Sequence, residues 1–303
     1  MTYKYIGGPP EYAYRKSPKF KANVADHESI IPPRSFDEYK ERLAPAWELN
    51  RTEDGILTAK WWTQGKEMQY GVGAHRGWSQ LFQEVHQDPD TEVLIIGGWG
   101  DVYLKGMLTK MADERANMPW WAYEHMYCDG TDYMEALVNL RIPTIGVING
   151  FAPHSEVALL CDITIMAEDA VIVDPHFGVG GIPGDGIQLV LQKLLGIKRA
   201  NYAMATMQKI TAQQALEWGL VSEVLPRDKI YERAQELAQG FMQKDRQMRR
   251  LTSEIFKEPW REHFAKYLRT NFAREMWSFF FNDKLDHDSA SELMPKDEGA
   301  AGS

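Results

Sequence analysis

Ile142-Pro143-Thr144-Ile145-Gly146-Val147-Ile148-Asn149-Gly150 is a short apolar run, entered through a proline and left through Asn-Gly. A run too short for a buried helix, and apolar nearly throughout, reads as a strand covered on both faces. Val93-Leu94-Ile95-Ile96-Gly97-Gly98 and Asp162-Ile163-Thr164-Ile165-Met166 have the same character. Helical stretches separate the strands: Gly73 to His86, with Trp78, Leu81, Phe82 and Val85 at helical spacing, then Asp132–Leu140 and Glu156–Leu160. Strand and helix in alternation specify an α/β chain with a parallel sheet and right-handed crossovers.

Upstream, Ile56-Leu57-Thr58-Ala59-Lys60-Trp61-Trp62 alternates like a strand after a turn at Glu53-Asp54-Gly55, and Phe36 to Leu49 reads as helical or irregular. Residues 1–35 are rich in Pro, Lys and Tyr, and Ile31-Pro32-Pro33 excludes helix there, so an extended arm is expected. After Asp185 the chain turns mainly helical through residue 285. The polar tail 286–303, ending in Gly and Ser, reads as flexible.

The 303 residues carry a net charge of -9, which argues against non-specific nucleic-acid binding, since that needs a basic surface. No apolar run reaches the ~20 residues of a membrane helix, and the first residues lack the apolar centre of a signal peptide. With Cys128 and Cys161 as the only cysteines, a disulfide framework is not expected, which fits a cytoplasmic protein. Ten Trp, 13 Tyr and 12 Phe exceed what a minimal core requires and suit an apolar pocket or a large subunit interface.

Three polar residues stand out downstream of the Asn-Gly: His154 in Pro153-His154-Ser155-Glu156, His176 in Asp174-Pro175-His176-Phe177, and Asp185 in Pro183-Gly184-Asp185-Gly186. Each lies beside a Pro or Gly that fixes a turn. Any one of them alone would satisfy a local hydrogen bond; two imidazoles and a carboxylate together are a general-base constellation. Gly178, Gly180, Gly181 and Gly184 let the chain double back between His176 and Asp185. The histidines are not at i, i+4 spacing and neither cysteine has a second ligand nearby, so no metal is expected. The Gly-rich stretch lacks the Gly-Lys-Ser/Thr ending of a phosphate loop.

The Ile142–Gly150 string, Cys161-Asp162-Ile163, Gly181–Gly186 and Ile210-Thr211-Ala212-Gln213-Gln214-Ala215-Leu216 followed by Trp218-Gly219-Leu220-Val221 resemble the signature strings of the crotonase (enoyl-CoA hydratase/isomerase) superfamily. The resemblance runs from about Phe36 to about Leu285. It implies an α/β crotonase-like ββα spiral core over 36–200, an α-helical C-terminal trimerisation region over 201–285, a 1–35 extension and a 286–303 tail. It also implies a homotrimer, or a hexamer of paired trimers.

Two departures narrow the reading. Phe151-Ala152-Pro153-His154-Ser155 replaces the Gly-rich run of the superfamily, and His176 stands where hydratases place a catalytic glutamate. Their other glutamate aligns with Glu156. This pattern is similar to the β-diketone hydrolase branch typified by 6-oxocamphor hydrolase, with its His-x-Glu, Pro-His-Phe and Pro-Gly-Asp-Gly strings. Thr63-Gln64-Gly65-Lys66 and Ala74-His75 also resemble that branch, a pocket tryptophan of which falls on Tyr70 and a helix glutamate on Glu275.

The implied reaction is hydrolysis of a carbon–carbon bond in a small-molecule β-diketone, without a cofactor. His176 is the expected base and Asp185 its orienting partner, within about 3.2 Å of a ring nitrogen. His154, assisted by the Tyr70 hydroxyl, is expected to stabilise the enolate, and Glu275 to bind substrate. By alignment, a backbone N–H near Lys105 or Gly106 supplies an oxyanion donor. The segment Met118-Pro119-Trp120-Trp121-Ala122-Tyr123 is either a pocket roof or ordinary core or trimer contact. Two alternatives stand beside this reading: an acyl-CoA enzyme of the same fold (hydratase, isomerase or thioesterase), and a non-catalytic trimeric scaffold.

Overall fold

The computed structural model describes residues 32–71, 73–107, 122–178 and 180–281. The arm before residue 32, the aromatic segment 118–121 and the tail after residue 281 lie outside them.

Helix α1 (Phe36–Leu43) opens on a Ser35 capping box closed by Glu38. Strands β1 (Trp47–Arg51) and β2 (Ile56–Trp61) form an antiparallel hairpin, so the Phe36–Leu49 stretch is helix and then strand. Its tight turn depends on Gly55, whose φ of +96° disfavours other residues. Next come β3 (Gln69–Tyr70), α2 (Gly73–Gln87), β4 (Val93–Gly98) and β5 (Gly106–Met107). A π-helical turn, Ala122–Cys128, leads into α3 (Asp129–Val138). Then β6 (Thr144–Ile148), β7 (Phe151–Ala152), α4 (Glu156–Leu159), β8 (Ile163–Ala167) and β9 (Val171–Ile172) complete the spiral.

The remainder is mainly helical: α5 (Ile187–Leu195), α6 (Ile197–Thr206), β10 (Ile210–Thr211), α7 (Ala212–Glu217), β11 (Glu223–Leu225), α8 (Ile230–Met242) and α9 (Arg246–Phe281). The main sheet has the order β1-β2-β4-β6-β8-β11, parallel except for the β1 edge. A second sheet, β10-β9-β7, and the pair β3-β5 lie outside it. This is the expected α/β spiral with a helical C-terminal region.

The apolar runs are buried as read: every residue of β4 and β6 is buried, and Trp78, Leu81, Phe82 and Val85 face the core from α2. Each large buried side chain contributes about 1.5–3 kcal/mol relative to exposure. A polar anchor ties α9 to the sheet end. Lys257 Nζ donates to Leu140 O, Ile142 O and Ser253 Oγ and lies 3.3 Å from Asp162 Oδ2. Among the described residues, no helix is long and apolar enough to cross a membrane.

Candidate active site

Register brings the site together. β7 and β9 pair in parallel, Ala152 opposite Ile172, so the turns that follow them emerge side by side. His154 lies two residues past β7, and Asp174 and His176 lie just past β9. Gly181 N–H donates back to His176 O at 2.7 Å, which folds the next loop over and carries Asp185 to the start of α5. Gly184 presses that loop onto α9: a Cβ there would stand 2.5 Å from Asn271 O and 2.7 Å from Glu275 Cβ. The same approach lets Gly184 N–H donate to Glu275 Oε2 at 3.1 Å.

Asp174, His176, Asp185, Glu275, His154 and Glu156 thus share one buried cluster. His176 Nδ1 donates to Asp174 Oδ1 at 2.7 Å, and Nε2 faces Asp185 Oδ2 at 3.5 Å and Glu275 Oε1 at 3.7 Å. His154 Nδ1 lies 3.1 Å from Glu156 Oε1 and 3.4 Å from Asp185 Oδ2. Tyr133 Oη donates to that same Glu156 oxygen at 2.9 Å. The two imidazole rings meet edge to face at 6.2 Å.

This corrects the expected pairing. Asp185 is beyond 3.2 Å from His176, and Asp174 is the carboxylate that orients the ring. Pro175 fixes a turn in which Asp174 Oδ1 also accepts the His176 backbone N–H at 3.0 Å, an Asx-type geometry available only two residues upstream. Asp185 instead stands between the two histidines.

Electrostatics follow from burial. Desolvation opposes charge on His176, but Asp185 and then Asp174 outweigh it and hold the ring well above its usual range. Burial likewise opposes a charged His154, and Glu156 overcomes it, so that pKa is raised too. Burial and the Asp185 charge push Glu275 well up, and burial also raises Glu156.

Tyr70 stacks on His154 with ring centres 4.4 Å apart, but its hydroxyl is engaged by His75 Nε2 at 2.8 Å. Burial drives His75 down to about 3, so that ring is neutral. Of the two aligned oxyanion donors, Lys105 is not offered as expected. Lys105 N–H donates to Met68 O at 2.8 Å, and Gly106 pairs with Gln69 between β5 and β3.

Sequence spacing argues against a metal, yet the fold assembles two donor triads, His154–Glu156–Asp185 and His176–Asp185–Glu275, each with its ligand atoms within 4.8 Å of one another. In the first, His154 Nδ1 and Glu156 Oε1 are at hydrogen-bond distance, so a cation there would displace a proton. The sequence reading gave no role to Asp174 or Tyr133. Asp174 had a local signal, Asp-Pro-His; Tyr133, on the core face of α3, had none.

A family model described as Enoyl-CoA hydratase/isomerase matches residues 76–290. The structure superposes on ABDH, a beta-diketone hydrolase from the cyanobacterium Anabaena sp. PCC 7120 bound to (S)-3-oxocyclohexyl acetic acid. That likeness has a TM-score of 0.74 and 28% identity, covering 81% of this chain and 98% of the other. An enoyl-CoA hydratase/isomerase from Mycobacterium paratuberculosis shares the fold at TM-score 0.74 and 22% identity, covering 82% and 98%. Among curated relatives, carnitinyl-CoA dehydratase of Salmonella typhi is 30% identical over 162 residues, 53% of this chain and 61% of its own length. Probable enoyl-CoA hydratase 1, peroxisomal, of Arabidopsis thaliana is 27% identical over 173 residues, 56% of this chain and 63% of its own length. The chain therefore spans about three fifths of the curated relatives it matches.

Proposed function

This chain belongs to the enoyl-CoA hydratase/isomerase family, and within that family we propose that it hydrolyses the carbon–carbon bond between the two carbonyls of a β-diketone. The observation that supports this most is the arrangement around Asp185: two imidazoles, each with its own carboxylate, face one shared carboxylate oxygen at 3.4 and 3.5 Å. The 28%-identical neighbour, a β-diketone hydrolase, supports the same reading.

In this reading His176 Nε2, with Nδ1–H held by Asp174, takes a proton from water as hydroxide adds to one carbonyl. The bond between that carbon and the α-carbon breaks, and its electron pair passes to the α-carbon as an enolate of the second carbonyl. His154, charged and held through Nδ1, donates Nε2–H to the enolate oxygen. His176 returns its proton to the α-carbon, so a diketone with both carbonyls in one ring and one water give one keto acid, and an open-chain diketone and one water give a carboxylic acid and a ketone. Because Tyr70 already bonds His75, it acts here as the wall that aligns His154, and Glu275, its carboxyl held well above the usual range by burial and the Asp185 charge, borders the Nε2 side.

A second reading, an acyl-CoA enzyme, is favoured by the hydratase and dehydratase names of the curated relatives. Incubation with cyclic and linear 1,3-diketones separates the two. Loss of ultraviolet absorbance, with a product one water heavier from a cyclic diketone or an acid and a ketone from a linear one, supports hydrolysis; no diketone turnover, with tight acyl-CoA binding, overturns it. We further place the protein in the cytoplasm as a homotrimer or a dimer of trimers. Met248, Leu251 and Ile255 leave an exposed apolar stripe along α9, suited to such contacts.

A further inference from the structure

His176 Nε2, Asp185 Oδ2 and Glu275 Oε1 converge from three separate segments: the loop after β9, the turn just before α5, and α9. In each residue the other polar atom is already held. His176 Nδ1 donates to Asp174 Oδ1 at 2.7 Å, Asp185 Oδ1 accepts Ile187 N–H at 3.3 Å, and Glu275 Oε2 accepts Gly184 N–H at 3.1 Å. Asp185 Oδ2 is left without a hydrogen bond although the residue is 1% exposed. A buried carboxylate oxygen in that state calls for a donor or a cation.

Metal-ligating histidines give their second ring N–H to a carboxylate or carbonyl, which fixes the tautomer and raises the basicity of the ligating nitrogen. Asp174 does this for His176. A tetrahedral ion about 2.1 Å from each donor sets the donors about 3.4 Å apart. Nε2 stands 3.5 Å from Asp185 Oδ2 and 3.7 Å from Glu275 Oε1, and the three atoms lie within 4.8 Å of one another. The way in is at His176, whose side chain is 14% exposed against 1% for each carboxylate. The neighbouring triad is a poorer host, because His154 Nδ1 is at hydrogen-bond distance from Glu156 Oε1 and Tyr133 Oη donates to that same oxygen.

We propose that His176, Asp185 and Glu275 form an inhibitory site for a divalent transition-metal ion of the zinc type, whose binding withholds the Nε2 lone pair from water. One imidazole with two carboxylates favours such an ion over Mg²⁺ or Ca²⁺, which prefer oxygen ligands throughout. The ion site stands on the placement of the three donors. Its inhibitory effect rests on the proposed function, in which Nε2 is the base.

The test is a titration of the full chain, first dialysed against a chelator, with Co²⁺ followed by its visible absorption. A band that saturates at one ion per chain is expected, displaced by Zn²⁺ and not by Ca²⁺. Asp174→Asn should weaken the ion about 10- to 100-fold, the scale for an outer carboxylate, and His176→Gln and Glu275→Gln by at least as much. Both glutamines keep a side chain of similar reach, and Glu275→Gln keeps an oxygen for Gly184 N–H. His154→Ala and Glu156→Gln should not weaken the ion. The site is overturned if no saturable band forms, if affinity survives His176→Gln or Glu275→Gln, or if His154→Ala removes it, since the ion would then lie in the other triad. Zn²⁺ bound without inhibition of a verified diketone turnover would keep the ion site and remove the base role from His176. Diketone turnover in a chain that binds no ion would do the reverse.

Discussion

Asp174 Oδ1 accepts both the Nδ1–H of His176, at 2.7 Å, and the backbone N–H of the same residue, at 3.0 Å. One oxygen therefore sets where the ring lies and which nitrogen carries its fixed proton, leaving Nε2 toward Asp185 and Glu275.

Asp174→Asn keeps the shape but lets the amide support the wrong tautomer, so kcat for a verified diketone should fall by about 10²–10⁴ with KM little changed. Asp185→Asn removes a charge that faces both histidines, so its mark is a pH–rate profile displaced to lower pH. Finding the two signatures exchanged would return the orienting role to Asp185.

His154→Ala should lower kcat by about 10²–10³, the scale for one oxyanion donor, and weaken an enolate analogue more than the substrate. His176→Ala should cost more in kcat. Near wild-type turnover in both variants would place the chemistry elsewhere.

Activity and stability should respond to pH in opposite directions. His176 and His154 are both raised above 6.5, so the stability they contribute is complete below that value and is lost as pH climbs through the raised ones. Glu275 and Glu156, raised above 4.5, also bind protons preferentially in the folded state and act with the same sign. The base needs His176 deprotonated, so kcat should rise as pH climbs above 6.5, until His154 gives up the proton it donates, while the melting temperature falls. His176→Gln should flatten the melting trend; an unchanged slope would contradict the assignment.

Lys257→Ala leaves Asp162 buried without its cation and takes the lysine donor from the Leu140 and Ile142 carbonyls, and should cost about 3–5 kcal/mol in urea unfolding. Lys257→Met, which keeps the packing, should restore little of the loss if the charge pair dominates. A midpoint equal to wild type for the alanine variant would show the anchor to be idle.

Exhaustive chelation should leave diketone turnover intact, because the proposed steps run through imidazoles and carboxylates alone. Loss of activity on chelation, restored by a divalent ion, would mean that one of the two donor triads around Asp185 works as a metal site.

Much of the fold was legible in the sequence because strands buried on both faces carry their signal in each residue, as in Val93–Gly98 and Thr144–Ile148. Strand β1 was harder: Trp47 and Leu49 alternate with polar neighbours, and what makes them a strand is pairing with β2. Within the site, His154, His176 and Asp185 stood beside turn-forming residues that drew attention to them. Glu275 meets Gly184 across 91 positions of chain, a contact with no local trace, and only the family resemblance pointed to it. Lys105 failed as a donor for a reason equally remote, its N–H being taken by Met68 of another segment.

The close seat of Gly184 on α9 has a consequence for how this site can vary. A single added carbon there would overlap both the Asn271 carbonyl and the Glu275 stem. A library randomised at 184 and selected for turnover should therefore return glycine almost alone, while the same library at an imidazole position returns whatever side chain can still carry a proton. A constraint on this site thus falls on a position that has no side chain.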